Sequence, residues 1–125
     1  MTMSVQPADI DEQDHVNNTV YLRWVQDVAV AHWKSLASKE AQARIKWIVV
    51  RHEIEYKLPA RLGDEVVLQT WVGEASRLKF ERLTEIRRRS DNQILSKART
   101  LWVPIDTQTG KPTRVSAEVR ARFSV

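Results

Sequence analysis

A long stretch with helical periodicity, residues 19–37, constrains the fold more than any other feature of the chain. It contains neither proline nor glycine, and either Thr19 or Asn18 is predicted to be its N-cap. At about 1.5 Å per residue, this helix is roughly 27 Å long, which is about the width of a small domain. Because most of its circumference is apolar, the rest of the chain must cover it. Its polar side chains form one narrow stripe, which consists of Arg23, Gln26, Asp27 and Lys34.

The sequence after Arg44 favours β-strands, because apolar and polar side chains alternate there and turn residues separate the alternating segments. Strands are predicted at 45–58, 65–73, 78–89 and 94–105, and a short additional strand is predicted before Asp9. In the first long strand, the alternation assigns one face to Ile48, Val50, His52, Ile54, Tyr56 and Leu58. This order predicts an α+β fold, with one long central helix wrapped by a strongly curved antiparallel sheet of about five strands.

The composition narrows the class of protein. A chain of 125 residues is too short for two cores of ordinary size, so residues 1–125 are predicted to form one domain. The absence of cysteine excludes disulfides and thiolate nucleophiles and is consistent with a reducing compartment. Neither a secretory leader nor a membrane-spanning apolar run is recognisable, so a cytoplasmic protein without a membrane partner is expected. The formal net charge of +4 favours anionic partners. Nucleic acid is not expected among them, because acids alternate with the basic residues.

Candidate catalytic groups are concentrated just before the helix, in the acidic segment 9–18. Asp11 and His15 are candidates for an acid/base pair, since residues that enter a helix can converge on a substrate bound at its N-terminus. Alternatively, these acids are solvated side chains that are favoured near the positive end of the helix. The acidic composition of the segment, taken alone, favours this second interpretation. Unsatisfied backbone N–H groups at the helix start favour the catalytic interpretation, because they can hydrogen-bond a substrate carbonyl.

The other motifs exclude several classes of enzyme. His32 and His52 lie among apolar neighbours, and both are interpreted as hydrogen-bonded core or pocket-wall residues. Because no HExxH spacing, nucleophile-elbow serine, phosphate-binding glycine loop or dinucleotide fingerprint is present, neither a metal nor a bound cofactor is expected.

Basic side chains cluster in two places on the predicted strands. Arg87, Arg88 and Arg89 lie close to a strand end, and Arg77 and Lys79 lie at the preceding hairpin. Each group is interpreted either as a solvated edge that discourages strand pairing or as a clamp for phosphate.

Residues 11–24 contain the pattern Asp-x-x-x-His-Val-Asn-Asn-x-x-Tyr-x-x-Trp. This pattern resembles the signature of hot-dog fold thioesterases of the 4-hydroxybenzoyl-CoA thioesterase-like group, and also the corresponding segment of plant acyl-ACP thioesterases. The segment 56–60, the Leu62-Gly63-Asp64 turn and Gly110-Lys111-Pro112 extend the similarity over nearly the whole chain.

The resemblance implies a hot-dog fold and the hydrolysis of an acyl-CoA or acyl-ACP thioester to a free acid and a thiol, with coenzyme A as part of the substrate. It implies a homodimer or homotetramer whose site lies at the subunit interface. Asp11 would take the place of the catalytic carboxylate, as nucleophile or general base, and the backbone N–H of Asn18 would polarise the carbonyl. His15 would shape the loop or assist proton transfer. Binding of the substrate or CoA is assigned to Asn17, Arg77, Lys79 and Arg88.

Two residues depart from the patterns of similar proteins. Gln13 replaces an asparagine of the plant pattern, and Asp14 stands where bacterial relatives often have a small residue. If Asp11 and Asp14 were buried together, one of them would tend to be protonated. A protein that binds an acyl thioester without turnover, or an assembly protein on the same fold, is therefore the alternative function.

Overall fold

The computed structural model describes residues 1–75 and 78–117, in which five strands form a single antiparallel sheet beside one long helix. The strand order is β1-β3-β4-β5-β2, so that β1 and β2 lie at the two edges of the sheet. The predicted α+β architecture, a long helix wrapped by an antiparallel sheet, is confirmed. The elements are β1 (Thr2–Ser4), a 3-10 turn (Pro7–Asp9), α1 (Asn18–Leu36), α2 (Lys39–Arg44), β2 (Ile45–Tyr56), β3 (Glu65–Ala75), β4 (Phe80–Arg88) and β5 (Ile94–Asp106).

The N-cap of α1 is Asn17, so the prediction of Thr19 or Asn18 was wrong. The side-chain Oδ1 of Asn17 accepts a hydrogen bond from the backbone N–H of Thr19 at 3.0 Å, which caps the helix before either predicted residue. The helix ends at Leu36, because Ala37 adopts an extended conformation with ψ 142°. One face of α1 is buried against the sheet, and it consists of Val20, Tyr21, Trp24, Val25, Val28 and Ala29. Val30 and Ala31 are exposed, so the prediction that the rest of the chain covers most of the helix circumference was wrong.

A β-bulge at Val50 divides β2 into two halves with opposite facing. Val49 pairs with Trp102 and Arg51 pairs with Leu101, so that Val50 has no partner on β5. Because an unpaired residue shifts the alternation by one position, the single face predicted for this strand was wrong. Trp47 contacts Trp33 of α1 edge to face, with 5.4 Å between ring centroids, and therefore faces the helix. Ile48 and Val50 are on the outer face, where they are 42% and 54% exposed.

The short helix α2 was not predicted. It has no buried residue, so it lacks the apolar stripe that marks a helix in a sequence. Its N-cap is Ser38, whose Oγ accepts a hydrogen bond from the N–H of Ala41 at 3.1 Å. This N-cap residue was the only local signal of a helix in the sequence. The helix α2 connects the end of α1 to the start of β2.

Substitution of Val25 tests whether the covered face of α1 carries the stability of the fold. Val25 is fully buried, so Val25→Ala is expected to lower the free energy of unfolding by about 2 kcal/mol, through lost burial and a residual cavity. Val30 lies on the same helix and is 42% exposed, so Val30→Ala should change it by no more than about 0.5 kcal/mol. Urea unfolding measures both, and equal effects would contradict the assignment of the buried face.

Candidate active site

The loop that precedes α1 is closed by its own backbone. Ile10 and Val16 form an isolated antiparallel bridge, and the N–H of Asp11 donates to the carbonyl of His15 at 2.8 Å. Asp14 adopts a left-handed conformation with φ 61°, which allows the tight reversal between them. The loop is therefore a defined turn.

The carboxylate of Asp11 is fixed through one of its two oxygen atoms. Oδ1 accepts hydrogen bonds from the N–H of Gln13 at 2.8 Å and from the N–H of His15 at 3.3 Å. Oδ2 accepts no hydrogen bond from residues 1–75 or 78–117. The arrangement orients the carboxylate while leaving one oxygen available to a substrate or a water molecule.

The first turn of α1 leaves one backbone donor without an acceptor. The N-cap Asn17 accepts from the N–H of Thr19 through its side chain and from the N–H of Val20 through its carbonyl. The N–H of Asn18, between them, donates to no acceptor in the described part of the chain. Because the partial positive charge of a helix start is concentrated on such groups, this N–H is suited to a carbonyl oxygen that becomes negative.

A cavity of about 370 Å³ lies where this loop, the start of α1 and the segment after β2 meet. Both Asp11 and Asn18 line it, together with the predicted site residues His15 and Asn17. The cavity thus brings a carboxylate and an unsatisfied backbone donor to one space. The other lining residues are Gln13, Val16, Tyr21, Tyr56, Lys57, Leu58 and Pro59.

The wall of the cavity opposite the loop was not assigned to the site from the sequence. It is formed by Tyr21 and by residues 56–59, which lie in the segment that resembles thioesterases. The hydroxyl of Tyr56 donates to the carbonyl of Asn18 at 3.3 Å, and its ring contacts Tyr21 edge to face. Burial raises the pKa of both tyrosines, so both are neutral hydrogen-bonding groups at neutral pH. Tyr56 lies in a strand, where tyrosine is common, and Tyr21 lies among apolar residues of α1, so neither position indicated a site residue.

Two of the basic residues predicted to bind CoA, Lys79 and Arg88, do not line this cavity. The guanidinium of Arg88 donates to the carboxylates of Asp64 and Asp91 and to the carbonyl of Pro59, at 3.3, 2.8 and 3.0 Å. Arg88 therefore connects the turn after β2 to the hairpin between β4 and β5. Lys79 is exposed just before β4, and Arg77 lies outside the described residues. A role of these three residues in binding CoA stays a prediction.

The two departures from the related patterns have different positions. Gln13 lines the cavity and donates its backbone N–H to Asp11. Asp14 is exposed and is not a lining residue. Mutual burial of Asp11 and Asp14, the condition under which one of them would be protonated, is therefore not met.

The buried carboxylate of Asp9 holds the loop that precedes α1 in place. The side chain of Asp9 is 4% exposed, and its two oxygens accept from the N–H of Gln6 at 2.9 Å and from the guanidinium of Arg23 at 3.0 Å. Its carbonyl accepts from the N–H of Asn17 at 2.8 Å. Asp9 therefore holds both the loop and the N-cap of α1 in place, although the sequence did not distinguish it from the solvated acids nearby.

Within residues 1–75 and 78–117, no group of three histidine, aspartate or glutamate side chains is placed to hold a metal ion. No helix in those same ranges is long and apolar enough to cross a lipid bilayer.

Comparison with known proteins identifies the family. Residues 5–123 match the model of the thioesterase-like superfamily, so the chain belongs to that superfamily. The predicted family and the predicted class of enzyme, a thioester hydrolase, are confirmed.

Solved structures of other proteins have the same fold. The 1,4-dihydroxy-2-naphthoyl-CoA thioesterase of Synechocystis superposes with a TM-score of 0.83 at 20% identity, covering 98% of this chain and 93% of its own. A Thermus thermophilus thioesterase, crystallised with coenzyme A and zinc, superposes with a TM-score of 0.85 at 21% identity, covering 98% and 89%. The probable thioesterase YbaW from Escherichia coli superposes with a TM-score of 0.82 at 24% identity, covering 98% and 93%. At these identities the similarity establishes the hot-dog fold. No curated protein matches the sequence.

Substitution of Asp9 tests its role as the support of the loop. Asp9→Asn removes the ion pair with Arg23 and weakens the bond to Gln6, and it is expected to lower the free energy of unfolding by about 1–3 kcal/mol. Glu12→Gln is the matched control, because Glu12 is exposed in the same loop. Thermal unfolding measures both variants, and an unchanged Asp9→Asn protein would show that the loop does not depend on this contact.

Proposed function

We propose that the protein is an acyl-CoA thioesterase in which Asp11 is the essential carboxylate. One observation carries the proposal: Asp11, whose Oδ2 has no described donor, and Asn18, whose N–H has no described acceptor, line the same cavity. A thioester carbonyl bound there would have its oxygen at the Asn18 N–H and its carbon within reach of the carboxylate.

Two routes satisfy this geometry. As a general base, Asp11 takes a proton from a water molecule whose oxygen attacks the carbonyl carbon, and the tetrahedral intermediate then expels the thiolate. As a nucleophile, Asp11 forms an anhydride with the acyl group and releases the thiolate, and water then hydrolyses the anhydride. In both routes the Asn18 N–H stabilises the oxyanion, and the products are a carboxylic acid and a thiol. His15, next to Asp11 in the cavity, is a candidate for the proton transfers.

Coenzyme A is preferred to a carrier protein as the thiol. The phosphates of CoA suit a chain with a formal net charge of +4, and the Thermus thermophilus structure of the same fold holds coenzyme A. The phosphates extend far beyond a cavity of about 370 Å³, so basic residues on the surface outside it are suited to bind them.

We also propose a homodimer that forms along β2. This strand is at the edge of the sheet, and its outer face presents the apolar side chains of Ile48 and Val50. Tyr56 lies at the other end of the same strand, and Leu58 follows the strand. Both border the catalytic cavity, and they are 45% and 40% exposed. A partner on this edge would cover apolar surface and close the cavity at once.

Replacement of the Asp11 carboxylate tests the catalytic assignment. Asp11→Asn keeps the shape of the side chain but removes the base and nucleophile, and kcat on a panel of acyl-CoAs is expected to fall by about 10²–10⁴-fold. Asp14→Asn is the matched control, because Asp14 is an exposed acid in the same turn, and its kcat should stay within about twofold of wild type. A thiol-release assay with DTNB measures both.

The same assay separates turnover from binding. If CoA raises the unfolding temperature of the wild-type protein while none of the acyl-CoAs releases thiol, the protein binds without catalysis. If Asp11→Asn is as fast as wild type, another group is catalytic.

Substitutions on the outer face of β2 test the proposed dimer. The double variant Ile48→Lys with Val50→Lys places charges on this edge and is expected to shift the protein to monomers in sedimentation velocity. Val30→Lys is the control, because Val30 is 42% exposed and belongs to α1 and not to the sheet edge. A wild-type protein that sediments as a monomer, or a double variant that stays dimeric, would contradict this interface.

A further inference from the structure

The hydroxyl of Tyr56 connects the edge of the sheet to the first turn of α1. Tyr56 is the last residue of β2, where it pairs with Ser96 of β5. Its hydroxyl donates to the carbonyl of Asn18 at 3.3 Å, and both Tyr56 and Asn18 line the catalytic cavity. Because a carbonyl oxygen has two lone pairs, this bond can form beside a helical hydrogen bond to the same carbonyl. The edge strand is thus attached to the residue whose N–H is the proposed oxyanion donor.

The ring of Tyr56 packs on buried aromatic side chains. It contacts the ring of Tyr21 edge to face, with 5.3 Å between centroids, and Tyr21 contacts Trp24 in the same way at 5.4 Å. Tyr21 and Trp24 are 2% and 0% exposed, and the Tyr21 hydroxyl accepts from the N–H of Ala60 at 2.9 Å. The side chain of Tyr56 is therefore held by a fixed surface, although Tyr56 itself is 45% exposed.

The bond between Tyr56 and Asn18 has a defined direction. The carbonyl of Asn18 can only accept, so the hydroxyl of Tyr56 donates. Burial raises the pKa of Tyr56, so the hydroxyl keeps the proton that it donates at neutral pH. The contact is therefore a neutral hydrogen bond.

Two contacts attach the first turn of α1 to the rest of the fold at the cavity. The N–H of Asn17 donates to the carbonyl of Asp9 at 2.8 Å, on the side of the loop. Tyr56 holds the carbonyl of Asn18 on the side of the sheet, and it is the one described residue outside α1 that bonds Asn18. The N–H and C=O groups of a helical residue both lie close to the helix axis direction, so a contact that fixes the carbonyl also restricts the direction of the N–H.

We propose that Tyr56 is a positioning residue, whose hydroxyl holds the carbonyl of Asn18 so that the N–H of Asn18 stays directed at the thioester carbonyl oxygen. This inference rests on the proposed function, because it concerns the donor that is assigned to the oxyanion there. Tyr56 itself touches no reacting atom. Its effect should appear in kcat and not in substrate binding, since the negative charge on the oxygen develops only when the carbonyl is attacked.

Removal of the Tyr56 hydroxyl alone tests this role. Tyr56→Phe keeps the ring on Tyr21, and its kcat on the acyl-CoA that wild type hydrolyses fastest is expected to fall by about three- to tenfold, the range for one neutral hydrogen bond. KM is expected to stay within about twofold of wild type, because substrate binding does not depend on this bond. A raised KM with an unchanged kcat would overturn the proposal.

Thr107→Val is the matched control. The hydroxyl of Thr107 also donates to a backbone carbonyl, that of Ala43 at 2.8 Å, and neither residue lines the catalytic cavity. Loss of this bond should leave kcat within about twofold of wild type. An equal fall of kcat in both variants would mean that the position of Tyr56 at the cavity is not the cause.

A double-mutant cycle tests whether Tyr56 acts through the N–H of Asn18. Asn18→Pro removes this N–H, and proline is favoured at the first position of a helix, where Asn18 stands. The preceding residue, Asn17, has ψ 137°, which a following proline allows. Asn18→Pro is expected to lower kcat by about 10²–10³-fold, and Tyr56→Phe should then lower it by less than about twofold more. A full three- to tenfold further loss, about the size of the single-variant effect, would mean that Tyr56 acts on another group.

NMR relaxation of the backbone amides reports on the donor without turnover. The order parameter of the Asn18 N–H is expected to fall in Tyr56→Phe, while that of Val25, in the buried middle of α1, stays unchanged. An unchanged order parameter at Asn18 would show that the hydroxyl does not hold the donor.

The outcomes distinguish this inference from the proposed function. If wild type releases thiol and Asn18→Pro is slow, but Tyr56→Phe is as fast as wild type, the role of Tyr56 is wrong while the proposed function stands. If wild type releases no thiol from any acyl-CoA, the proposed function fails and the role of Tyr56 fails with it.

Discussion

Burial of one face of α1 against a single curved sheet is the contact on which the other features depend. Trp24 and Val25, at the middle of this face, are fully buried, and strands β3, β4 and β5 provide the opposing surface. Because the helix is held along its length, its first turn has a fixed position relative to the sheet. The loop before it and the segment after β2 can then meet at that turn, and the bond from Val16 N–H to the carbonyl of Ala60, at 2.9 Å, joins them directly.

The chemistry of the site follows from an incomplete cap. Asn17 satisfies the N–H groups of Thr19 and Val20, and Asp9 fixes Asn17 in turn through its carbonyl. Only the N–H of Asn18, among the donors of this capped turn, is left for a ligand in the described structure. A cap of this kind stabilises the helix and leaves a preorganised donor, so in the proposed mechanism the same turn serves both stability and catalysis.

Local patterns in the sequence predicted the elements better than their orientation. The apolar helix, the strands and the position of Asp11 beside the helix start were all readable, because helix periodicity and motif spacing are properties of neighbouring residues. The bulge at Val50 was not, since an unpaired residue is defined by the partner strand β5 and not by β2 itself. The same reason explains why Asp9 and Tyr56 were missed: each acts through a contact with a residue distant in sequence. The contacts of Arg88 with two carboxylates were likewise not predicted, and its role in binding CoA stays a prediction.

The bulge in β2 also divides the strand into two parts with different structural constraints. Before Val50, alternate residues face outward at the sheet edge, and after it the alternation restarts with His52 and Ile54 turned toward the interior. Before Val50 and after it, different alternate positions of β2 therefore face outward. Substitutions on the outer edge and substitutions near Tyr56, in the cavity wall, thus fall on separate sets of residues. The edge of the proposed dimer and the wall of the cavity can accordingly change independently during evolution, although both involve the same strand of twelve residues.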